Sequence, residues 1–213
     1  MSVEKEYWDD RYENKREFSG RSEKEVGKRN ELLWRAVERE LPEINHIIDV
    51  GCGDLRIWGD RACKDYVGID FAIDIIRENK NRRPHWTFIH SDAADYVPGL
   101  VRGTVFCFNM IYHVLERERL PKVLMNLCRY ASERIFIYTW IENPFHPNTS
   151  DGEYQTYHPM GRYTEVFRRN GFGLASVEVI EDPIRLAEGN ARLALYIYEK
   201  QRETPVERFP ASI

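Results

Sequence analysis

Short, nearly uninterrupted apolar runs occupy 46–50, 65–70, 86–90, 104–109 and 134–140 of the chain. Runs of that length suit strands covered on both faces, as in a parallel sheet. Between them the period changes to that of a helix. Leu120, Val123, Leu124, Leu127 and Cys128 recur at the three-and-four spacing that lines one side of a helix over 117–131, and a second helical pattern covers 72–80. Upstream of the first strand, Ser22-Glu23-Lys24-Glu25 has capping-box form and opens a helix with Val26, Leu33, Val37 and Leu41 on one stripe, ended by Pro42. After the fifth strand a long polar and aromatic loop leads into a helix at about 162–170, stopped by Asn170-Gly171. The segments 174–181 and 192–199 then alternate with a period of two and read as a hairpin. Strand–helix alternation predicts an α/β fold whose parallel sheet is joined by right-handed crossovers.

Composition narrows the setting. The chain has 213 residues, 42% hydrophobic and 13% aromatic, enough for one domain with a sizeable core. The expected organisation is a single domain over 1–213: an N-terminal helical lid region at 1–44, a core at 45–200 and a tail at 201–213. No apolar run reaches the length of a membrane span, and the N-terminus is charged from Glu4 onward, so the expectation is a cytoplasmic protein without membrane contact. Cys52, Cys63, Cys107 and Cys128 lack the close spacing of metal knuckles or redox pairs and read as buried, reduced thiols. A formal net charge of −4 provides no electrostatic footprint for a large polyanion, which makes nucleic acid an improbable partner.

The first strand carries the chemistry. His46-Ile47-Ile48-Asp49-Val50 runs into Gly51-Cys52-Gly53-Asp54-Leu55, where two glycines allow a tight turn and close backbone approach to a ligand. The second strand ends in Asp70, placed to accept hydrogen bonds from both hydroxyls of a ribose, or else to cap the helix that follows. A dinucleotide fingerprint needs a third glycine three residues after Gly53, and here Gly53 is followed by Asp54, Leu55 and Arg56. Asp54 beside the turn would also repel a pyrophosphate, whereas a cationic ligand with a free amino group is acceptable. S-adenosylmethionine is such a ligand.

At these residues the sequence resembles the class I S-adenosylmethionine-dependent methyltransferases of small-molecule type, across roughly residues 45 to 200. Asp49-Val-Gly-Cys-Gly-Asp is similar to their first motif, whose usual last glycine is Leu55 here, and Val67-Gly68-Ile69-Asp70-Phe71-Ala72 to their second, with Asp70 on the ribose and Phe71 beside the adenine. Phe88-Ile89-His90-Ser91-Asp92-Ala93 resembles the segment whose Asp holds the adenine amino group while the next backbone N–H meets a ring nitrogen. Val105 to Asn109, followed by Met-Ile-Tyr112-His113, resembles the fourth strand and its turn. The resemblance implies a Rossmann-like, doubly wound, mostly parallel seven-stranded sheet with a C-terminal antiparallel hairpin. It also implies a cofactor set of Asp49, Gly51, Cys52, Gly53, Asp70, Phe71, Asp92, Ala93 and Asn109. Tyr7-Trp8-Asp9-Asp10-Arg11-Tyr12 is similar to the Y-W-D-x-R-Y opening of many relatives, whose implied role is to close over the cofactor and help form the acceptor site through Trp8 and Tyr12.

Methyl transfer from a sulfonium needs alignment and exclusion of water more than chemical activation, and no metal. An oxygen or nitrogen acceptor must still lose a proton. Candidate bases are His113, after the fourth strand, and His146 and His158, in the long loop, with a structural role for His113 also open. Trp140, Tyr154 and Tyr157 are the candidate acceptor-site aromatics. The expected enzyme is a monomer or homodimer acting on a small-molecule acceptor. RNA or protein methylation remains an alternative, as does a non-catalytic cofactor-binding partner subunit or, more remotely, a nicotinamide-dependent oxidoreductase. Base-methylating enzymes are disfavoured because Asn109-Met-Ile-Tyr112 lacks the paired prolines that grip a flipped base.

Overall fold

The structure is a computed structural model that describes residues 7, 8, 10, 23–145, 154–180 and 192–202. Helix α1 (Glu23–Glu40) leads into β1 (Ile47–Val50), followed by β2 (Tyr66–Asp70), α2 (Ile73–Arg82), β3 (Thr87–His90) and β4 (Arg102–Phe108). A 3-10 turn (Ile111–His113), α3 (Leu120–Tyr130) and β5 (Ala131–Trp140) come next. A second 3-10 turn (Met160–Tyr163), α4 (Thr164–Arg169), β6 (Phe172–Ile180) and β7 (Leu193–Lys200) complete the described elements. The seven strands form one sheet in the order β3-β2-β1-β4-β5-β7-β6. Strands β1 to β5 pair in parallel, while β7 runs antiparallel to both β5 and β6, so the hairpin closes one edge.

Alternation within each strand explains why both faces are covered. Ile48, Val50, Val67, Ile69, Val105, Cys107, Ile135 and Ile137 point to one face and pack with Leu120, Val123, Leu124 and Leu127 of α3 and Phe167 of α4. Ile47, Tyr66, Phe88, Phe106, Phe136 and Tyr138 point to the other, under Leu33, Trp34 and Val37 of α1 and Ile76 of α2. Each such aliphatic or aromatic side chain contributes about 1.5–3 kcal/mol when fully buried. All four cysteines are buried and free, and burial pushes their thiols up, Cys128 to about 12. Their reactivity as thiolates is correspondingly suppressed.

Two crossovers have no helix. Residues 51–61, between β1 and β2, form a run of turns with Trp58 fully buried at its centre, and residues 91–101 between β3 and β4 are likewise irregular. The helix expected over 162–170 begins as a 3-10 turn, and Asn109 lies just past β4 with φ +58° rather than inside the strand. Among the described residues no helix is long and apolar enough to cross a membrane.

Candidate functional site

Three strand ends meet at the glycine turn. Gly51 (φ +75°), Gly53 (φ +51°) and Leu55 (φ +62°) all take left-handed backbone conformations. A side chain on Gly51 would place its Cβ 2.8 Å from Met110 Cβ, so glycine is required there for room as well as for φ. Leu55 keeps the backbone course of the last glycine usual in the methyltransferase-like motif, at a cost of about 1–2 kcal/mol for a left-handed leucine, offset by burial of its side chain beside Trp58. Gly51 and Cys52 donate to the carbonyl of Ile69 at 2.8 and 3.1 Å, which staples the turn to β2. Glycine at 68 is what lets the Cys52 side chain lie there, because a Cβ on Gly68 would sit 2.9 Å from Cys52 Sγ.

Asp70 serves both the turn and the helix behind it. Its Oδ2 accepts from Gly53 N at 2.9 Å, and its Oδ1 from Ala72 N at 3.0 Å, one residue before α2 begins. A carboxylate has about four lone-pair sites, so these two bonds fix its plane and leave acceptor capacity toward the cavity. Asp49 lies deeper. Its Oδ2 accepts from Trp58 Nε1 at 2.7 Å and from Tyr66 OH at 2.9 Å, and the residue is 2% exposed. Burial raises its pKa to about 6; the Trp58 and Tyr66 hydrogen bonds oppose that rise, and the nearby Asp70 charge adds to it.

The cavity beyond these strand ends has a volume of about 360 Å³, within the range of about 300–1,000 Å³ usual for small-molecule sites. All nine residues of the expected cofactor set line it. Trp8, His113 and Trp140 line it too, and Tyr7, Tyr112 and Gln155 join them. Aromatic rings build one wall: Trp8 meets His113 edge-on at 4.8 Å, Tyr112 lies 4.7 Å from His113, and Tyr112 stacks on Trp140 at 4.4 Å. His113 Nδ1 lies 2.9 Å from the carbonyl oxygen of Tyr154. A carbonyl only accepts, so Nδ1 carries the proton in that hydrogen bond.

Other expected residues lie elsewhere. His158 is buried away from the cavity, with Nε2 on the Val114 carbonyl at 2.8 Å and Nδ1 3.4 Å from Tyr163 OH. Tyr157 donates to the Ile141 carbonyl at 3.0 Å and packs against the core. Tyr154 is off the wall but stacks on Tyr7 at 3.9 Å. His146 and Tyr12 fall outside the described residues.

No protein-family model matches the chain, and no curated protein does. Solved structures match it over nearly their whole length. The N-methyltransferase NodS of Bradyrhizobium japonicum, in complex with S-adenosylhomocysteine, superposes with a TM-score of 0.70 at 10% identity, covering 94% of this chain and 100% of that one. The magnesium protoporphyrin IX methyltransferase ChlM of Synechocystis, with bound S-adenosylmethionine, gives 0.65 at 17% identity, covering 94% and 99%. The CcbJ methyltransferase of Streptomyces caelestis gives 0.66 at 12%, covering 94% and 100%. This is the class I methyltransferase fold.

Within that methyltransferase fold, two arginines complete the cavity that motif reading left out. Arg29 of α1 lines it, and its buried Nε has no hydrogen-bond partner among the described residues. Neighbouring Asn30 donates to the Arg56 carbonyl at 3.3 Å, which holds this part of α1 over the glycine turn. Arg119 lines the cavity from the start of α3 and pairs with Asp92 at 2.5 Å. Neither carried a local signal, since both sit among the mixed charges that usually mark a solvated surface. The irregular crossover after β1 also separates this site from a dinucleotide-binding one. A pyrophosphate is normally seated on a helix N-terminus, and here turns follow the glycines, with Asp54 among them. Among the described residues, no group of three His, Cys, Asp or Glu is placed to hold a metal ion.

Proposed function

We propose that this protein is an S-adenosylmethionine-dependent methyltransferase acting on an oxygen or nitrogen of a small molecule. The observation that carries the reading is the convergence of Gly51, Gly53, Asp70 and Asp92 on one cavity at the carboxyl ends of β1, β2 and β3, in a fold shared with cofactor-bound methyltransferases. The similar structures include a magnesium protoporphyrin IX methyltransferase and a sugar N-methyltransferase, which supports a small-molecule acceptor. The orphaned Nε of Arg29 beside the glycine turn fits a ligand that brings a carboxylate to it.

The roles divide by position. The Gly51–Gly53 backbone admits the amino-acid end of the cofactor, Arg29 pairs its carboxylate, and the Asp49 carboxylate favours its ammonium. Asp70 accepts from the ribose hydroxyls, Phe71 covers the adenine, and Asp92 and the Ala93 N–H take its polar edge. Bound S-adenosylmethionine supplies an electrophilic methyl on a sulfonium, whose departure leaves a neutral thioether. Tyr7, Trp8, Tyr112 and Trp140 exclude water around that point and orient the acceptor for in-line attack. His113 Nε2 takes the proton that an oxygen or nitrogen acceptor sheds, while the Tyr154 carbonyl holds the ring in place.

Calorimetric titration with S-adenosylhomocysteine tests the reading. The wild type should bind, and Asp70→Asn should lose about 1–3 kcal/mol through its weaker acceptance from the ribose. Absence of binding by the wild type, or equal affinity in the variant, would overturn the assignment.

A further inference from the structure

Ser91, Asp92 and Ala93 of the irregular segment 91–97 line the cavity, and helix α3 with its N-cap residue Arg119 fastens the segment at three points. Asn126 donates to the Ala93 carbonyl at 3.0 Å, and Tyr130 OH accepts from Val97 N at 2.9 Å while facing the Asp95 carbonyl at 3.3 Å. Those two side chains are buried, and their hydrogen bonds to the segment go to backbone. The third point differs in kind. Arg119 donates to the side chain of Asp92, and both residues face the cavity.

Asp92 is thereby held from two directions. Its Oδ1 accepts from Ala94 N at 2.8 Å and its Oδ2 from Arg119 at 2.5 Å. With both oxygens engaged, the carboxylate cannot swing away without breaking a charge-assisted bond, and its remaining lone pairs present only acceptor character to a ligand. The Arg119 and Asp92 side chains are 22% and 34% exposed, so water screens the pair in part. A carboxylate fixed in this way is satisfied by a donor on the ligand and opposed by a carbonyl.

Resting on the cofactor reading above, we propose that Arg119 is a positioning residue for base recognition. By holding the Asp92 carboxylate, it makes the cavity select a purine that presents an amino group there over one that presents a carbonyl. The segment without this clamp would still be tied to α3 through Asn126 and Tyr130, so the fold does not require Arg119.

The test compares S-adenosylhomocysteine with S-inosylhomocysteine, which carries a carbonyl in place of the amino group, by calorimetry on the full chain. The wild type should prefer the adenosyl compound by about tenfold or more, the scale of one charge-assisted hydrogen bond. Arg119→Met should narrow that preference by weakening the adenosyl compound about tenfold while leaving the inosyl compound little changed, with an unaltered Tm; the remainder belongs to the ring nitrogen that meets the Ala93 N–H and gains a proton in the inosyl base. Arg119→Lys, which restores a cation near Asp92, should recover part of the preference. Equal weakening of both compounds would reduce Arg119 to a scaffold residue and overturn the proposal, as would an unchanged ratio. If the Met variant does not fold, Arg119→Gln must show the same narrowing. A wild type that binds neither compound instead overturns the cofactor reading on which the proposal rests.

Discussion

Replacing Asp49 with Asn should make the protein more stable at neutral pH. The carboxylate is buried, and its pKa rises from 3.8 to about 6 because desolvation outweighs the Trp58 and Tyr66 hydrogen bonds. The folded state therefore holds this proton more tightly than the unfolded chain. Stability from the protonated form is complete below about pH 4 and is lost as pH rises toward about 6, above which the penalty is constant. At about 1.4 kcal/mol per pH unit over that interval, ionised Asp49 costs about 3 kcal/mol at pH 7. Both observed hydrogen bonds go to a single oxygen, Oδ2, so the carbonyl of an Asn side chain can accept both while carrying no charge. Urea unfolding of wild type and Asp49→Asn between pH 5 and 8 reads the effect directly. The variant's advantage should roughly double between pH 5 and pH 7, reaching about 3 kcal/mol, and then level off. A variant less stable than wild type at pH 7, or a difference that does not change with pH, would refute the reasoning. The same substitution should weaken binding of S-adenosylhomocysteine, as expected where a costly buried charge is kept for function.

Three other outcomes follow from the geometry. Leu55→Gly relieves about 1–2 kcal/mol of left-handed strain but removes a buried side chain worth about 2–5 kcal/mol, so chemical denaturation should show a net loss of about 1–3 kcal/mol. Arg29→Ala should weaken S-adenosylhomocysteine by about 1–3 kcal/mol yet leave 5′-methylthioadenosine, which lacks the carboxylate, almost unaffected; parallel calorimetry separates the two. Once an acceptor is in hand, His113→Ala should lower turnover about 10²–10⁴-fold with cofactor affinity nearly intact, whereas His158→Ala should lower thermal stability instead.

The strands and helices were legible because each buries a repeating stripe. Ile47 and Ile48 fall on opposite faces of the same strand, and the five residues that mark the α3 stripe all reach the core, so period and burial agree. Where they disagreed, boundaries moved: Asn109 belonged to the apolar run of β4 but turns out of it in a left-handed conformation, with Tyr112 OH on its Oδ1 at 3.1 Å. Leu55 in place of the motif's usual last glycine was legible as a departure, while its consequence was not. Leu55 holds the glycine's backbone region because its side chain is buried, and that balance depends on neighbours remote in sequence.

Histidine in the chain illustrates the same division. His113 and His158 look alike as loop residues beside aromatics, yet one lines the cavity and the other spends both ring nitrogens inside the protein. By itself, the sequence determined the alternating α/β sheet, the terminal hairpin and the position of the glycine turn with Asp70 and Asp92, because these follow from local period and from short spacings between strand ends. Only the tertiary structure decided which charges face the cavity and in what state. Arg29 and Arg119 arrive there from different helices, and Asp49 has its pKa raised by burial despite the bonds from Trp58 and Tyr66. Burial and pairing are properties of three-dimensional neighbours, and no local pattern in the chain encodes them.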